Sequence, residues 1–274
     1  MNLIPEQPAN CPTCATKFEG PFCYTCGEKQ TSPKDYTLKK YAAQAVDIFT
    51  HFDGKFFRTL KYLLFFPGKL TEENLAGRKV KLMKPVQLFV VISLVYFFLM
   101  KKIDVFVSFL GDANTESAIR TSAERIAKER NIAFEDYQEH YDKELAATAK
   151  TYTFILIPFF AVGAWLFFVR RIKPFVPHLI FATHFFSFFL AFVFLYFELI
   201  LRWLDPRQLS YGQKLLGVAV GILVLTVYLF FALKRVYKQR VMITAVKTLA
   251  LTIWMLVILG CYREAMAWMT FLFA

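Results

Sequence analysis

The sequence predicts an all-α polytopic membrane protein, with about five transmembrane helices behind a small N-terminal unit. Three observations carry that prediction. The first is the run from Leu179 to Leu201, 23 residues in which His184, Ser187 and Glu198 are the polar exceptions of note. A hydrocarbon core about 30 Å thick needs roughly 20 apolar residues as a helix, and this run supplies them. The second is composition: of 274 residues, 57% are apolar and 32 are Phe, with a mean hydropathy of +0.41. Such values are ordinary for a polytopic membrane protein and rare for a soluble domain. The third is the placement of Lys and Arg. They give a formal net charge of +12, yet they sit mostly beside apolar runs. There they set topology and meet anionic lipid headgroups, so the bilayer is the expected partner and nucleic acid is not.

Taken in order, residues 1–33 read as a separate unit organised by CPTC-ATKFEGPF-CYTC-G, with Cys11 and Cys14, then Cys23 and Cys26, then Gly27. Each C-x2-C turn offers two sulfurs from one tight knuckle, and four soft ligands suit a tetrahedral Zn2+. Four cysteines fill four positions, so the expected zinc is structural and the unit is a zinc ribbon. The competing readings are two disulfides or a redox pair. The opening MNLIPEQPAN has neither a basic start nor an apolar run, so the first span is the expected export signal.

Residues 34–85 read as an amphipathic interfacial helix followed by a basic linker. Tyr41, Ala45, Ile48 and Phe52, then Phe56, Leu60, Leu63 and Leu64, recur at helical spacing with Lys and Arg between them. His51 beside Asp53 reads as a surface residue. Pro67-Gly68 ends that helix, and Thr71 opens a short helical turn. Arg78, Lys79, Lys81 and Lys84 then approach the membrane together.

The ribbon ending in CG, the pattern T-L-x-x-L-L-x-x-P-G from Thr59 to Gly68, G-R-K from Gly77 to Lys79, and Pro85 together resemble a family of bacterial membrane proteins. That family is catalogued as domain-of-unknown-function family three-six-six-seven. The segment H-L-I-F-A-T-H-F-F-S-F, His178 to Phe188, is similar to one found in some of its members. The resemblance implies a ribbon-bearing bacterial membrane protein of unknown activity and supplies no catalytic residues.

Residues 86–274 form the expected membrane domain. Its spans are Val86–Met100, Tyr152–Val169, the Leu179–Leu201 run, Leu215–Leu233 and about Thr248–Tyr262. The apolar tail after Arg263-Glu264 either extends the fifth helix or lies along the interface; if it re-enters, or the first span fails, the count becomes six or four. A polar loop at about 104–150, with ten acids against six Lys or Arg, suggests two short amphipathic helices. Its His140 reads as part of a solvated acidic face. With the N-terminus inside, the inner segments carry 13 Lys and Arg against 11 spread over longer outer loops. Reduced thiolates also persist best in cytosol. The expectation is the bacterial inner membrane, N-terminus cytoplasmic and C-terminus outside.

Ionisable groups within spans are costly and often functional. His184 and Glu198 fall on one helical stripe, roughly 21 Å apart at 1.5 Å per residue, while His178 lies off that face. His178, His184 and Glu198 are therefore candidates for an intramembrane polar site. The preferred reading is plainer: His184 bonds a neighbouring helix, and Glu198 lies near the outer headgroups, where Arg202 could pair one turn away. Cys261 reads as a packing residue. The favoured function is a non-enzymatic binding or scaffolding module, whose ribbon binds a cytoplasmic protein or braces the bundle. A small transporter or channel using the polar stripe, alone or as an oligomer, is the alternative. A membrane enzyme on lipid-linked substrates comes last, because no H-E-x-x-H, G-x-S-x-G or paired acidic motif is present.

Overall fold

A computed structural model of the chain describes residues 9–30, 55–99, 121, 124–134, 136–137, 140–141, 144–145, 152–196 and 211–273. The fold is mostly helical, with two short strands at the N-terminus. Strands β1 (Ala9–Asn10) and β2 (Lys17–Phe18) pair antiparallel, Ala9 opposite Phe18 and Asn10 opposite Lys17. Helices α1 (Lys55–Phe65) and α2 (Lys69–Leu75) form a tight hairpin. The apolar helices are α3 (Pro85–Leu99), α4 (Leu156–Phe168, preceded by a 3-10 turn at Thr153–Ile155), α5 (Val176–Tyr196), α6 (Tyr211–Tyr237) and α7 (Val241–Phe273). Residues 124–130 are also helical, and His140 is exposed. Residues 34–54, with His51, and Glu198 lie outside the described residues.

Among the described residues, three helices are long and apolar enough to cross a membrane: Val176–Tyr196, Leu215–Tyr237 and Val241–Thr270. Pro85–Phe98 and Thr153–Phe168 are apolar but shorter. Helix α7 runs unbroken through Arg263-Glu264, so the apolar tail extends the helix. Arg263 pairs with Glu264 at 2.7 Å and keeps its side chain mostly covered, which lets the charges stay within a continuous helix. Cys261 is exposed on that helix.

Helix α5 is the axis. Every residue from Val176 to Leu190 is buried, because α1, α2, α3, α4 and α6 all pack against it. A helix apolar on every side needs such a wrapping, whether by protein or by lipid. Aromatic stacking fills the joints: Phe160 on Phe185, Phe188 on Tyr228, and Phe168 on Tyr237. Hydroxyls inside the helices bond the carbonyl four residues back, as Thr183 to Leu179, Ser187 to Thr183, Thr248 to Thr244 and Thr270 to Met266. In an apolar medium this local bond removes a cost that water would otherwise cover. Lys238, at a positive φ of 49°, turns α6 directly into α7, so the two lie antiparallel. Gly163 lets the Trp254 ring of α7 approach α4; a Cβ there would sit 2.5 Å from the indole.

Candidate metal centre and its hairpin cradle

The two C-x2-C turns fold alike. Ala15 N–H donates to the Cys11 carbonyl and Gly27 N–H to the Cys23 carbonyl, at 2.9 and 2.8 Å. Cys11 N–H donates to Thr16, and Cys23 N–H to Glu28, in the same positions. Ala15 and Gly27 take φ of 60° and 73°, the left-handed turn that ends each knuckle. Four sulfurs converge as a result: Cys11 to Cys26 at 3.4 Å and Cys14 to Cys23 at 3.6 Å. All four lie within 4.8 Å of one another. A tetrahedral ion with bonds of about 2.3 Å to sulfur has sulfurs roughly 3.8 Å apart, so the donor set fits a closed four-thiolate site. Hydrogen bonding with the Thr16 hydroxyl and N–H pulls the Cys14 thiol down to about 6, toward the thiolate form that ligates, whereas at Cys26 the Glu28 N–H is outweighed by burial and the neighbouring sulfurs, which push that thiol up. Phe18 is buried against the cysteines, whereas Phe22 and Tyr24 are exposed.

Glu28 follows the second knuckle and is 2% exposed. Its Oε2 accepts from the Thr13 hydroxyl of the first knuckle at 2.8 Å. The same oxygen accepts from the backbone N–H groups of Lys79 and Val80 at 2.9 and 3.1 Å. One carboxylate thus ties both knuckles to the segment between α2 and α3. Sequence reading passed over Glu28, because an acid after CG looks like any surface charge.

That segment belongs to a hairpin inserted between helix ends. The Tyr228 hydroxyl of α6 donates to the Leu63 carbonyl at 2.7 Å, and Arg235 donates to the Pro67 carbonyl at 2.8 Å. The Leu63 carbonyl, in the last turn of α1, faces Pro67, which has no N–H to give, and the Pro67 carbonyl lies in the turn beyond the helix, so α6 caps both. Gly68, at φ 75°, opens α2 and lies against the Ala232 backbone. Thr59 donates to Lys55 and accepts from the Met83 N–H at 3.1 Å, tying α1 to the approach of α3. Gly77, at φ 81°, closes α2: its N–H reaches the Asn74 carbonyl while Arg78 N–H reaches Glu73, a Schellman motif. Glu73 also accepts from the Arg78 guanidinium and pairs with Lys69 at 2.7 Å. Those hydrogen bonds, Arg78 first, hold its carboxyl below the ordinary carboxylate range. The piece that reads as a basic linker is therefore docked structure, and α2 starts at Lys69, ahead of Thr71.

The two span histidines are not brought together. His178 Nδ1 faces the Tyr237 hydroxyl at 2.8 Å and Nε2 faces the Ile172 carbonyl at 2.9 Å. Nε2–H therefore donates to the carbonyl and Nδ1 accepts from Tyr237. His184 Nδ1 lies 3.0 Å from Thr71 Oγ1, so α2, and not another span, supplies its partner. Thr71→Val is expected to lower stability by about 1–3 kcal/mol, since it strands a buried ring nitrogen while keeping the volume. A thermal melt in detergent, compared with wild type, reads this directly; an unchanged midpoint would mean the pair contributes nothing.

Neither a curated protein nor a solved structure matches the chain. A family model does, that of the "Protein of unknown function (DUF3667)", over residues 53–97. The match covers α1, α2 and all but the last two residues of α3, including Thr59, Pro67-Gly68 and Gly77-Arg78-Lys79, each with a stated structural task. Over residues 53–97 this chain is similar to the DUF3667 family of proteins of unknown function.

Proposed function

We propose that this protein is a non-enzymatic module of a bacterial inner membrane, with five spans, its N-terminus in the cytoplasm and its C-terminus outside. Its four cysteines hold a structural zinc, and the ribbon so formed braces the α1–α2 hairpin against the spans. The observation that carries this reading is the Glu28 carboxylate, shared between Thr13 in the ribbon and the Lys79 and Val80 amides at the foot of α3. Of the two roles open to a ribbon, brace or partner-binding module, the brace has contacts at named atoms. The apolar helices support the membrane reading, and the charge balance of the loops supports the orientation.

Glu28→Ala tests the brace. Bonds to a charged acceptor are worth about 1.5–3 kcal/mol each, and amides that lose them open more often. Hydrogen exchange at Lys79 and Val80 should quicken about tenfold or more while metal content stays at the wild-type level. Unchanged exchange at those amides would remove the ribbon from this role.

A further inference from the structure

Helix α1 has a second face that the bundle leaves uncovered. Thr59 and Leu63 point inward and are buried. On the opposite arc, successive positions at 100° per residue place Phe57, Lys61, Phe65 and Arg58 side by side. All four are exposed, Phe57 at 76% and Phe65 at 73%. The helix KFFRTLKYLLF contains three cations and no acid. Its position is fixed by the bond from Tyr228 to the Leu63 carbonyl. Tyr228 lies nine residues before the end of α6 at Tyr237, about 14 Å along that helix. The last turns of α1 therefore sit beside the body of an apolar helix, below its end.

We propose that this arc is a docking surface for anionic phospholipids of the surrounding bilayer. Phe57 and Phe65 enter the boundary between acyl chains and headgroups, and Arg58 and Lys61 on the arc, with Lys55 beside it in the first turn, meet phosphates by extending along their stems. Two features favour lipid over a protein partner. Phenyl rings and cations alternate on one arc, which suits a boundary that is apolar on one side and negatively charged on the other. The inward face of the same helix is already held by α5 and α6, so the arc is presented to whatever encloses the bundle. The inference rests on the membrane reading and adds to it a lipid class and a helix.

The test uses the full chain in nanodiscs of phosphatidylcholine, with and without phosphatidylglycerol. A benzophenone amino acid replaces Phe57, Phe65 or, as reference, Leu223, which is 62% exposed on α6. After irradiation, mass spectrometry identifies each adduct. Phospholipid adducts are expected at all three positions. At Phe57 and Phe65, phosphatidylglycerol should exceed its share of the bilayer by about fivefold, the preference one interfacial cation confers. Replacing Lys55, Arg58 and Lys61 by Gln should abolish that preference and leave the Leu223 adducts unchanged. Lipid at Leu223 with none at 57 and 65, or capture of a second copy there, or capture merely in proportion to bilayer share, would overturn the proposal while keeping the membrane reading. Absence of lipid at Leu223 would overturn both.

Discussion

Cys23→Ser is expected to empty the metal site and unfold residues 9–30 while leaving the membrane helices in place. Cys23 is 1% exposed and its sulfur faces those of the other three cysteines. A unit this small buries too little apolar surface to fold alone; among its described aromatics only Phe18 is buried. If the proposed zinc is bound, it supplies the folding free energy, about 10–16 kcal/mol for comparable zinc sites at neutral pH. Elemental analysis should read one zinc per chain in wild type and none in the variant. The remaining ribbon thiols should react at the rate of free thiols, with helical circular dichroism nearly unchanged. A wild-type protein without zinc, or one whose native thiols map as Cys11–Cys26 and Cys14–Cys23 disulfides, would refute the assignment and the cytoplasmic placement that depends on it.

Gly68→Ala is the second large effect. A Cβ at this position would lie 2.7 Å from the Ala232 carbonyl oxygen and 2.9 Å from its Cα, and backbone atoms of α6 cannot swing aside. The φ of 75° adds about 1 kcal/mol of strain for any L side chain. Together the two effects should cost several kcal/mol, enough to undock the hairpin from α6. The expected readout is a melting midpoint lower by about 10 °C or more in detergent, with faster exchange in α2. Gly212→Ala, where nothing lies within 4 Å of the added carbon, is the control and should be neutral. If both variants melt with wild type, the close approach of Gly68 to α6 does not matter to stability.

The axis and the cysteine cluster were legible in the sequence because both signals are local. An apolar run of span length and two C-x2-C turns declare themselves within a few residues. The hairpin was not legible, because its partners are far away in the chain. Thr71 meets His184 across 113 residues, and Leu63 meets Tyr228 across 165. Lysines and glutamates between Pro67 and Pro85 look solvated to any window that sees only their neighbours. Glu73 in fact has Lys69 and Arg78 as internal partners, which is what lets so charged a segment sit against α5 and α6. Arg263-Glu264 left two courses open for the tail, and the structure takes the first: the paired side chains stay within one 33-residue helix.

The wrapping of α5 constrains the order in which the molecule can be assembled. The hairpin is synthesised long before α6, yet its carbonyls at Leu63 and Pro67 are capped by Tyr228 and Arg235. A ribosome adding about 5–20 residues per second needs roughly ten seconds or more to reach those caps. Until then the hairpin has neither its α6 caps nor the Gly68–Ala232 contact, while its Lys69–Glu73–Arg78 cluster can already form from neighbouring residues. Docking onto α5, through Thr71 and His184, can begin before α6 exists, and the contacts with α6 close it as a late locking step. A chain truncated before α6 should display α1 and α2 to a protease that leaves the finished protein intact.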